Sequence, residues 1–297
     1  MTIFVKNKFN LKNMRINEDF FNDDIINANV NLLIEGVTYN KDDGNFIFNF
    51  THDYDTDIIK LNNIGHKSDI FNKCYYFAYE FDPNIDSSLR TLFIKSIKFP
   101  DGSISENDKN VFIGNAVRTL DSEINLLKYD TIIYPQSMSE LTRDMLKYLS
   151  KFASPKYISI ELVKELPSKI EFDYERYTVD VLDSVLSNGR SRYTDSQKKQ
   201  ALNTIKDLMD IIHKSDYFSI ARDVRKTKYR PYIKNYYKFK NEQDKNVFKQ
   251  LDNTNVLVID DIATSGTTIF HLLKTIRTLN DSNNLTVFSL LGKKIEI

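Results

Sequence analysis

The amino-acid sequence predicts an α/β protein whose core is a parallel β-sheet, with an N-terminal β-rich module and a helical insertion. Three observations predict it. From residue 71 onward, short apolar segments alternate with amphipathic helical patterns, which is typical of βαβ units. Residues 1–70 contain a predicted hairpin, and residues 164–216 contain a helical pattern that follows a predicted core strand. We therefore expect a module at 1–70 and a domain at 71–297 that includes the insertion.

The N-terminal module is predicted to contain a β-hairpin. Residues 31–39 and 45–51 are strand-like, and the turn between them ends in Gly44, where a positive φ is expected. The module shows no cluster of residues typical of catalysis. Its histidines, His52 and His66, stand singly among Asp and Asn residues, and we expect them to be solvated rather than metal-bound.

Between residues 71 and 216, predicted strands and helices alternate. The strands are short apolar or aromatic segments at 75–81, 129–134 and 157–163. Three helices are predicted to begin after residues suited to N-capping, namely Ser105, Ser139 and Thr194. A further helix is predicted by an apolar stripe at Leu89, Leu92, Phe93 and Ile97. This order of elements is that of a parallel sheet covered by helices.

The most informative segment lies at residues 256–268. Residues 256–259 (Val-Leu-Val-Ile) predict a buried strand, and Asp260 and Asp261 follow at its carboxyl end, where open α/β sheets bind ligands. Adjacent carboxylates repel by roughly 4 kcal/mol at about 4 Å and an effective dielectric near 20, so we expect the pair to bind hydroxyl groups or a cation. The following turn has small side chains, so its N–H groups and the next helix can surround an anion. The turn comprises Ala263, Thr264, Ser265, Gly266, Thr267 and Thr268.

This segment closely resembles the signature of the type I phosphoribosyltransferases, a family that binds phosphoribosyl pyrophosphate (PRPP). Over residues 70–297, the order of elements is similar to the ComF-like branch of that family, including the helix end Ile97-Lys98-Phe99. The resemblance implies a phosphoribosyltransferase-type (Rossmann-like) core. It implies that Asp260 and Asp261 hold the ribose hydroxyls, that residues 263–268 hold the 5′-phosphate, and that Mg²⁺ binds near the two acids.

Two further segments gain a role from the resemblance. In the family, the loop after the first core strand receives the pyrophosphate, which here implicates Gln136, Ser137, Met138 and Ser139. A plain capped βα turn explains that segment equally well by itself. The basic tract within residues 217–240 would supply cations to the leaving group, and its candidates are Arg225, Lys226, Lys228 and Arg230.

Two alternatives stay open for the basic tract. It is interleaved with aromatic residues, so it is also typical of a nucleic-acid surface, where rings stack on bases and cations meet phosphates. The aromatic residues in question are Tyr229, Tyr232, Tyr236 and Tyr237. The simplest alternative is a solvated basic hairpin without a ligand.

The chain departs from the ComF-like pattern in three respects. The single cysteine, Cys74, cannot build the cysteine-rich zinc module with which that branch usually begins. No Arg-Gly-Phe-Asn-like stretch follows the predicted pyrophosphate loop. Thr264 stands where purine-salvage members carry an acidic residue, which argues against transfer to hypoxanthine or guanine.

Composition narrows the function classes. The 297 residues include 41 basic and 41 acidic residues, so net charge does not favour nucleic acid or a membrane as a partner. No apolar run approaches the roughly 20 residues of a membrane span, and residues 1–10 lack the apolar core of a signal peptide. With one cysteine, the expected location is a reducing cytoplasm, or a host cytoplasm or virion if the chain is encoded by a phage. Abundant Asn, Lys, Ile and Tyr are typical of a low-GC bacterial or phage source.

The resulting prediction is an Mg²⁺-dependent phosphoribosyltransferase. It would transfer ribose 5-phosphate from PRPP to a nitrogenous acceptor and release pyrophosphate, as a monomer or a homo-oligomer. Two other classes stay open. One is a protein that binds PRPP or a nucleotide as a signal without catalysis, with the basic tract meeting nucleic acid or a protein partner. The other is a phage-encoded or virion-associated domain that keeps the fold as a scaffold.

Overall fold

The structure is a computed structural model that describes residues 30–34, 36–49, 59–62, 74–99, 103–137, 139–263 and 266–292. Within these ranges, seven strands form one mixed sheet, three form a small antiparallel sheet, and two short strands form a ribbon. The predicted α/β class, with a largely parallel core sheet and an N-terminal β-rich part, is confirmed.

The strands, numbered in chain order, are β1 (Val30–Ile34), β2 (Val37–Asn40), β3 (Asn45–Phe48), β4 (Ile59–Asn62), β5 (Cys74–Glu80), β6 (Thr131–Pro135), β7 (Ile158–Lys164), β8 (Glu171–Phe172), β9 (Ile233–Lys234), β10 (Tyr237–Phe239), β11 (Asn255–Ile262) and β12 (Asn284–Gly292). The α-helices are α1 (Ser87–Lys98), α2 (Glu106–Ile124), α3 (Glu140–Phe152), α4 (Tyr174–Tyr177), α5 (Asp195–His213), α6 (Ile220–Asp223), α7 (Glu242–Lys249) and α8 (Thr267–Leu279).

The large sheet has the strand order β10-β7-β6-β11-β12-β5-β4. Its five inner strands, β7, β6, β11, β12 and β5, are parallel. The edge strands β10 and β4 pair with their neighbours in the antiparallel sense. Strand β11 lies at the centre and is buried along almost its whole length, which explains the continuous apolar run at residues 256–259.

The strand order reverses between β6 and β11. From β6 the chain continues outward through α3 to β7, and from β11 it continues in the opposite direction through α8 to β12. Helix α3 packs on one face of the sheet together with α1 and α2, and α8 packs on the other face. In open α/β sheets, such a reversal leaves a crevice at the carboxyl ends of the two strands, where ligands bind.

Local capping interactions confirm the predicted helix starts. The Ser105 hydroxyl accepts a hydrogen bond from the backbone N–H of Asp108 at 3.0 Å. The Ser139 hydroxyl accepts one from the N–H of Leu141 at 3.1 Å. Thr194 forms a complete capping box at the start of α5. Each interaction satisfies a backbone donor that the first helical turn leaves without a partner.

Two predicted strands have different bounds in the structure. The segment predicted as one strand at 31–39 is two strands, because Gly36 adopts a φ of 77° and turns the chain so that Ile34 faces Val37. The strand predicted at 256–259 continues to Ile262, because its pairing with β12 extends as far as Leu291. Asp260 and Asp261 therefore lie inside β11, within the part of the strand that pairs with β12, rather than after it.

The N-terminal sheet shares a core with the large sheet. Leu33, Val37 and Phe46 are buried in the same cluster as the apolar face of α1 and α2. The backbone N–H of Asp82 also donates to the carbonyl of Leu33 at 3.0 Å. Strand β4, from the predicted module, pairs with β5 at the edge of the large sheet. The domain boundary at residue 70 stays a prediction.

The predicted helical insertion at 164–216 contains α4 and α5 with the short strand β8, and the basic tract that follows it contains α6 and β9. Its main helix, α5, buries Ile205, Met209 and Ile212 in the same cluster as α8. The insertion is thus part of the core on the α8 side of the sheet. In the part of the chain that the structure describes, every helix is too short or too polar to cross a membrane.

Candidate functional site

The two acids of β11 leave the strand on opposite faces of the sheet. Successive strand residues point in opposite directions, so Leu257 and Ile259 face α1, α2 and α3, whereas Val258 faces α8. By the same alternation, Asp261 lies on the face of Leu257 and Ile259, and Asp260 lies on the face of Val258. Both are buried, with 4% and 5% of their surface exposed. The carboxylates therefore flank the end of the central strand instead of pointing side by side.

Asp261 is paired with Lys98, the last residue of α1. The Lys98 ammonium lies 2.8 Å from Asp261 Oδ1. The other oxygen, Oδ2, is buried and has no hydrogen-bond partner among the described residues. A buried carboxylate oxygen without a partner costs free energy, so this atom is suited to accept a ligand hydroxyl or to bind a cation. Sequence reasoning gave Lys98 no site role, although the Ile97-Lys98-Phe99 helix end was the available signal.

Asp260 lies in a different environment on the α8 side. Burial, followed by the negative charge of Asp261, raises the pKa of Asp260 to about 8, against a smaller lowering by Lys98. Two phenols, Tyr75 and Tyr237, face it, and burial raises the pKa of each, with a further contribution from the Asp260 charge. No described residue forms an ion pair with Asp260. Its ionised form would therefore be stabilised by a cation or by hydroxyl donors.

The turn after β11 leads into α8 through Gly266. This glycine has a φ of 68°, a left-handed conformation that other residues adopt only with strain, and Thr267 is the first residue of the helix. The N–H of Ala263 is already used, since it donates to the Leu291 carbonyl at 2.8 Å. Thr264 and Ser265 lie outside the described residues. The hydroxyl of Thr268 is hydrogen-bonded to Tyr237 and lowers the pKa of that phenol against the larger effect of burial.

The junction after β6 lies beside the end of β11. Val258 is level with Ile133 in the last pair between these parallel strands, and Asp260 and Pro135 each come two residues after it. Gln136 and Ser137 follow and are exposed, whereas Met138 lies outside the described residues. Ser139 is buried, and its hydroxyl caps α3 and lies 3.5 Å from the carbonyl oxygen of Lys98. Both predicted ligand-binding junctions are thus at the same edge of the sheet.

Most cations of the basic tract have structural partners. The ion pairs are Arg222 with Asp223, Lys234 with Asp173, Lys238 with Glu165 and Lys240 with Glu161. Arg230 donates from its guanidinium to the carbonyls of Val224 at 3.0 Å and Ala221 at 2.8 Å. Arg225, Lys226 and Lys228 are exposed and make no ion pair with any described residue. Of the four predicted leaving-group cations, three are therefore free of ion pairs with described residues, and Arg230 braces the backbone. The ammonium groups of Lys226 and Lys228 lie 5.6 Å and 5.5 Å from the centre of the Tyr229 ring.

The tyrosines of the basic tract are core residues. Tyr229, Tyr232, Tyr236 and Tyr237 each expose less than a tenth of their surface. Tyr229 and Tyr232 make edge-to-face contacts with Tyr177 at ring distances of 5.6 Å and 5.1 Å. These rings are consequently unable to stack on bases. The structure thus argues against the part of the nucleic-acid alternative in which tyrosines of the basic tract stack on bases. The pattern of alternating basic and aromatic residues reflects a segment with one buried side.

The tract runs along α8. His271 Nε2 donates to the Arg230 carbonyl at 3.1 Å, and the Lys274 ammonium donates to the Ile233 carbonyl at 3.0 Å. Burial lowers the pKa of His271 to about 3, so its ring is neutral and serves as a donor. Burial also lowers the pKa of Lys274 to about 8. The helix whose N-terminus follows Gly266 is thereby fixed to the segment that carries the free cations.

A cleft of about 800 Å³ opens at the same edge of the sheet. It lies between the N-terminal sheet and the carboxyl ends of β5, β11 and β12, and Ala263 is part of its wall. Ligand pockets commonly have volumes of about 300–1,000 Å³. The site therefore consists of the acid-bearing strand end, two helix N-termini and an adjacent cleft.

The carboxylates of Asp260 and Asp261 fit an Mg²⁺ ion that is also bound by oxygen atoms of a ligand. The described residues contain no group of three or more His, Cys, Asp or Glu side chains that could hold a metal. Mg²⁺ is commonly bound by one or two carboxylates together with phosphate oxygens and water. A buried carboxylate oxygen without a partner, at Asp261, and a carboxyl whose charge needs compensation, at Asp260, suit that shared mode and not an all-protein cage.

No protein-family model matches this sequence, and no curated protein matches it either. Among solved structures, the chain is similar to a hypoxanthine phosphoribosyltransferase from Staphylococcus aureus. The identity is 12% over 63% of this chain and 69% of that chain, with a TM-score of 0.31. A similarity at that level assigns no family, so the site rests on the geometry of the chain's own residues.

Proposed function

We propose that the protein is an Mg²⁺-dependent phosphoribosyltransferase that transfers ribose 5-phosphate from PRPP to a nitrogenous acceptor. The observation that supports it most is the position of two buried acids at the end of the central strand, where the strand order reverses. The next helix, α8, begins after Gly266, a short turn further along the chain. Diol-binding carboxylates beside an anion-binding helix N-terminus form a complementary site for a phosphorylated sugar.

In this proposal the strand end and α8 bind the sugar phosphate. Asp261 accepts a ribose hydroxyl through its unpartnered Oδ2, and Asp260 binds the diol from the other side of the strand. Gly266, Thr267 and Thr268 hold the 5′-phosphate with Thr264 and Ser265. Ala263 contributes only a small side chain, because its N–H is bound to β12.

The pyrophosphate is assigned to the junction after β6. Gln136, Ser137, Met138 and Ser139 are its proposed ligands. Ser139 caps α3, and Lys98 lies next to Ser139. Arg225, Lys226 and Lys228 supply positive charge to the leaving group. Arg230 acts indirectly, because its two backbone hydrogen bonds fix the shape of the segment that carries these cations.

The reaction is a displacement at the anomeric carbon. A nitrogen lone pair of the acceptor forms the new C–N bond, the bond to the pyrophosphate oxygen breaks with its electron pair, and the acceptor nitrogen gives up a proton to water or to the departing pyrophosphate. Asp260 and Asp261 orient the sugar and stabilise positive charge that develops on its ring. Asp260 and Asp261 would hold Mg²⁺, whose positive charge would neutralise the leaving group.

A second candidate is a protein that binds PRPP as a signal without turnover. The observation in its favour is the Lys98–Asp261 ion pair, which already neutralises one of the two acids. A bound diol has to share or displace this pair. Such a contact would couple ligand binding to the position of α1.

Thermal unfolding with PRPP and Mg²⁺ tests the proposal. A ligand at 100 times its dissociation constant adds roughly 2.7 kcal/mol to the free energy of unfolding. At about 2–4 °C per kcal/mol, the melting temperature should rise by several degrees. The rise should disappear in Asp260→Asn/Asp261→Asn and persist in Asp207→Asn, an exposed acid on α5 that serves as the control.

The absence of any rise in the unmodified protein, or its persistence in the double variant, would reject the proposed site. Pyrophosphate release measured over a panel of nitrogenous acceptors then separates the two candidates. Release supports the enzyme. A melting shift without release over the whole panel supports the signal-binding protein.

A further inference from the structure

A second cavity, of about 460 Å³, lies on the other side of the molecule's site region, between α8, β10 and α7. Its lining contains none of the site residues assigned above. On α8 the wall includes Lys274 and Thr278. Lys274 comes two turns after Thr267, so it lies roughly 10 Å along the helix from the N-terminus that the proposed function assigns to phosphate. The cavity is thus separate from the sugar site.

Four lysines line this cavity, and three of them have a carboxylate partner. The pairs are Lys234 with Asp173, Lys238 with Glu165 and Lys245 with Glu242, at nitrogen–oxygen distances of 3.1, 2.8 and 3.0 Å. The fourth, Lys274, forms no ion pair with a described residue, and its ammonium donates to the backbone carbonyls of Ile233 at 3.0 Å and Pro231 at 3.4 Å. An ammonium group has three N–H donors, so these two contacts leave one donor.

The charge of Lys274 is poorly compensated by its surroundings. Burial, followed by the positive charge of Arg176, lowers the pKa of Lys274 to about 8. The carboxylate of Asp173 acts in the opposite direction, but it is bound to Lys234, whose charge lowers the pKa of Lys274 as well. A half-buried cation without a counter-ion is stabilised by an anion that enters from the cavity.

The rest of the cavity indicates what kind of anion fits. Tyr237, Phe239 and Leu279 give the wall an apolar part. The volume lies within the range of about 300–1,000 Å³ that is common for pockets that bind small organic molecules. A single uncompensated cation beside apolar side chains suits a molecule that has one anionic group on an apolar body.

We propose that this cavity binds a small organic anion, a carboxylate or a phosphate ester with an apolar body, and that Lys274 is its counter-ion. The ammonium keeps its contacts with the backbone of the basic tract and donates its remaining N–H to an oxygen of the ligand. This binding site does not depend on the proposed function, since its residues belong to a different part of α8.

Trace acetylation of the full chain tests the proposal. Acetic anhydride reacts with the neutral amine of a lysine, and mass spectrometry of each peptide gives the labelling rate at each position. Without a ligand, labelling of Lys274 should be half-maximal near pH 8. Phenyl phosphate or benzoate should raise this midpoint by about one pH unit and lower the rate at pH 8 about fivefold. A response to only one of the two anions identifies the charged group that the cavity prefers.

Two controls accompany the anions. Benzyl alcohol has the apolar body without the charge, and sodium chloride matches the ionic strength, so neither should protect Lys274. Labelling of Lys240, which pairs with Glu161 outside the cavity, should be the same under all conditions. Lys109 is buried, so an increase in its labelling reveals a protein that is partly unfolded.

A variant of Thr278 assigns the effect to this cavity. Thr278 is exposed one turn after Lys274, and its hydroxyl donates to the Lys274 carbonyl at 2.8 Å. Thr278→Asp supplies a carboxylate within reach of the ammonium, so it should raise the labelling midpoint without a ligand and remove the response to both anions. The matched control is Thr204→Asp on α5, where an exposed hydroxyl donates to the carbonyl of Gln200 in the same way. It should change neither.

Unchanged labelling of Lys274 with both anions overturns the proposal, as does equal protection by benzyl alcohol or sodium chloride. A response to the anions that persists in Thr278→Asp would show that they bind elsewhere, for example at the N-terminus of α8. These outcomes leave the proposed function untouched, because the melting shift with PRPP is measured independently.

Discussion

The β11–α8 junction and the basic tract at 222–240 are the two segments richest in candidate site residues. Their side chains have different surroundings in the fold. At the junction, the two acids are buried at the end of the central strand, and the glycine opens the helix that follows. In the tract, half of the cations are bound in ion pairs and the four tyrosines are buried. A strand, turn and helix in sequence fix where their polar residues lie, whereas the exposure of an irregular segment depends on what packs against it.

The buried tyrosines offer the largest test of this difference. Tyr229→Ala should lower the free energy of unfolding by about 3–5 kcal/mol in urea titrations, because the ring is buried between Phe172 and Tyr177. The control is Tyr217→Ala, whose ring is 54% exposed and whose cost should stay below about 1 kcal/mol. Similar small costs for both would mean that Tyr229 lies on the surface, as a nucleic-acid-binding tract requires.

The ion pair at the site should matter more than those in the tract. Lys98→Met leaves the Asp261 carboxylate buried without its cation, and we expect a loss of about 2–3 kcal/mol in the free energy of unfolding. We expect a smaller loss of stability than for a fully buried ion pair, because Lys98 is partly exposed. Asp261→Asn in the same chain should recover more than half of this loss. A double variant that is as unstable as Lys98→Met would show that the lysine stabilises the fold through packing alone.

Asp260 should give the apo protein a distinctive pH dependence. Its pKa is raised in the folded state above the unfolded value of 3.8, so its contribution to stability is complete below about pH 4 and is lost as the pH rises towards 8. Between pH 5 and 8 in EDTA, unmodified protein should lose at least about 1 kcal/mol relative to Asp260→Asn. The difference between the two proteins is the relevant quantity, since neutral buried His271 acts in the opposite direction below pH 6.5. If the free energies of unfolding of the two proteins changed with pH in the same way, the Asp260 carboxyl would not be buried without a compensating charge.

The smallest effect is expected for an ion pair of the tract. Lys240→Met removes the contact with Glu161, where the lysine is largely exposed, and should cost no more than about 1 kcal/mol in urea titrations. The matched comparison is Lys98→Met, which removes the same kind of side chain. A loss at position 240 as large as at position 98 would remove the distinction between the site and the tract.

Much of the fold was predictable because its signals are local. Ser105, Ser139 and Thr194 begin helices through hydrogen bonds to residues two or three positions away. The apolar run of β11 predicts a central strand, because only a strand covered on both faces has no need of alternation. The approach of the β6 and β11 junctions follows from the same order of elements, since parallel strands end at one edge of the sheet.

The parts of the site that sequence reasoning missed depend on distant residues. Lys98 and Asp261 are 163 positions apart, so nothing local indicates that they pair. Arg230 was predicted to be a leaving-group cation, but its guanidinium is held by two backbone carbonyls. The cleft beside Ala263 forms only when the N-terminal sheet and the end of β5 meet the ends of β11 and β12, which come from the other end of the chain.

The sequence by itself determined the α/β class, the helix starts and the acid-bearing strand end, because these follow from periodicity and from hydrogen bonds between near neighbours. Only the tertiary structure decided that Asp260 and Asp261 face opposite sides of the sheet in different surroundings. The extension of β11 to Ile262 by its pairing with β12 is the physical reason. Pairing between strands sets how far a strand continues, and that length decides which face each side chain reaches.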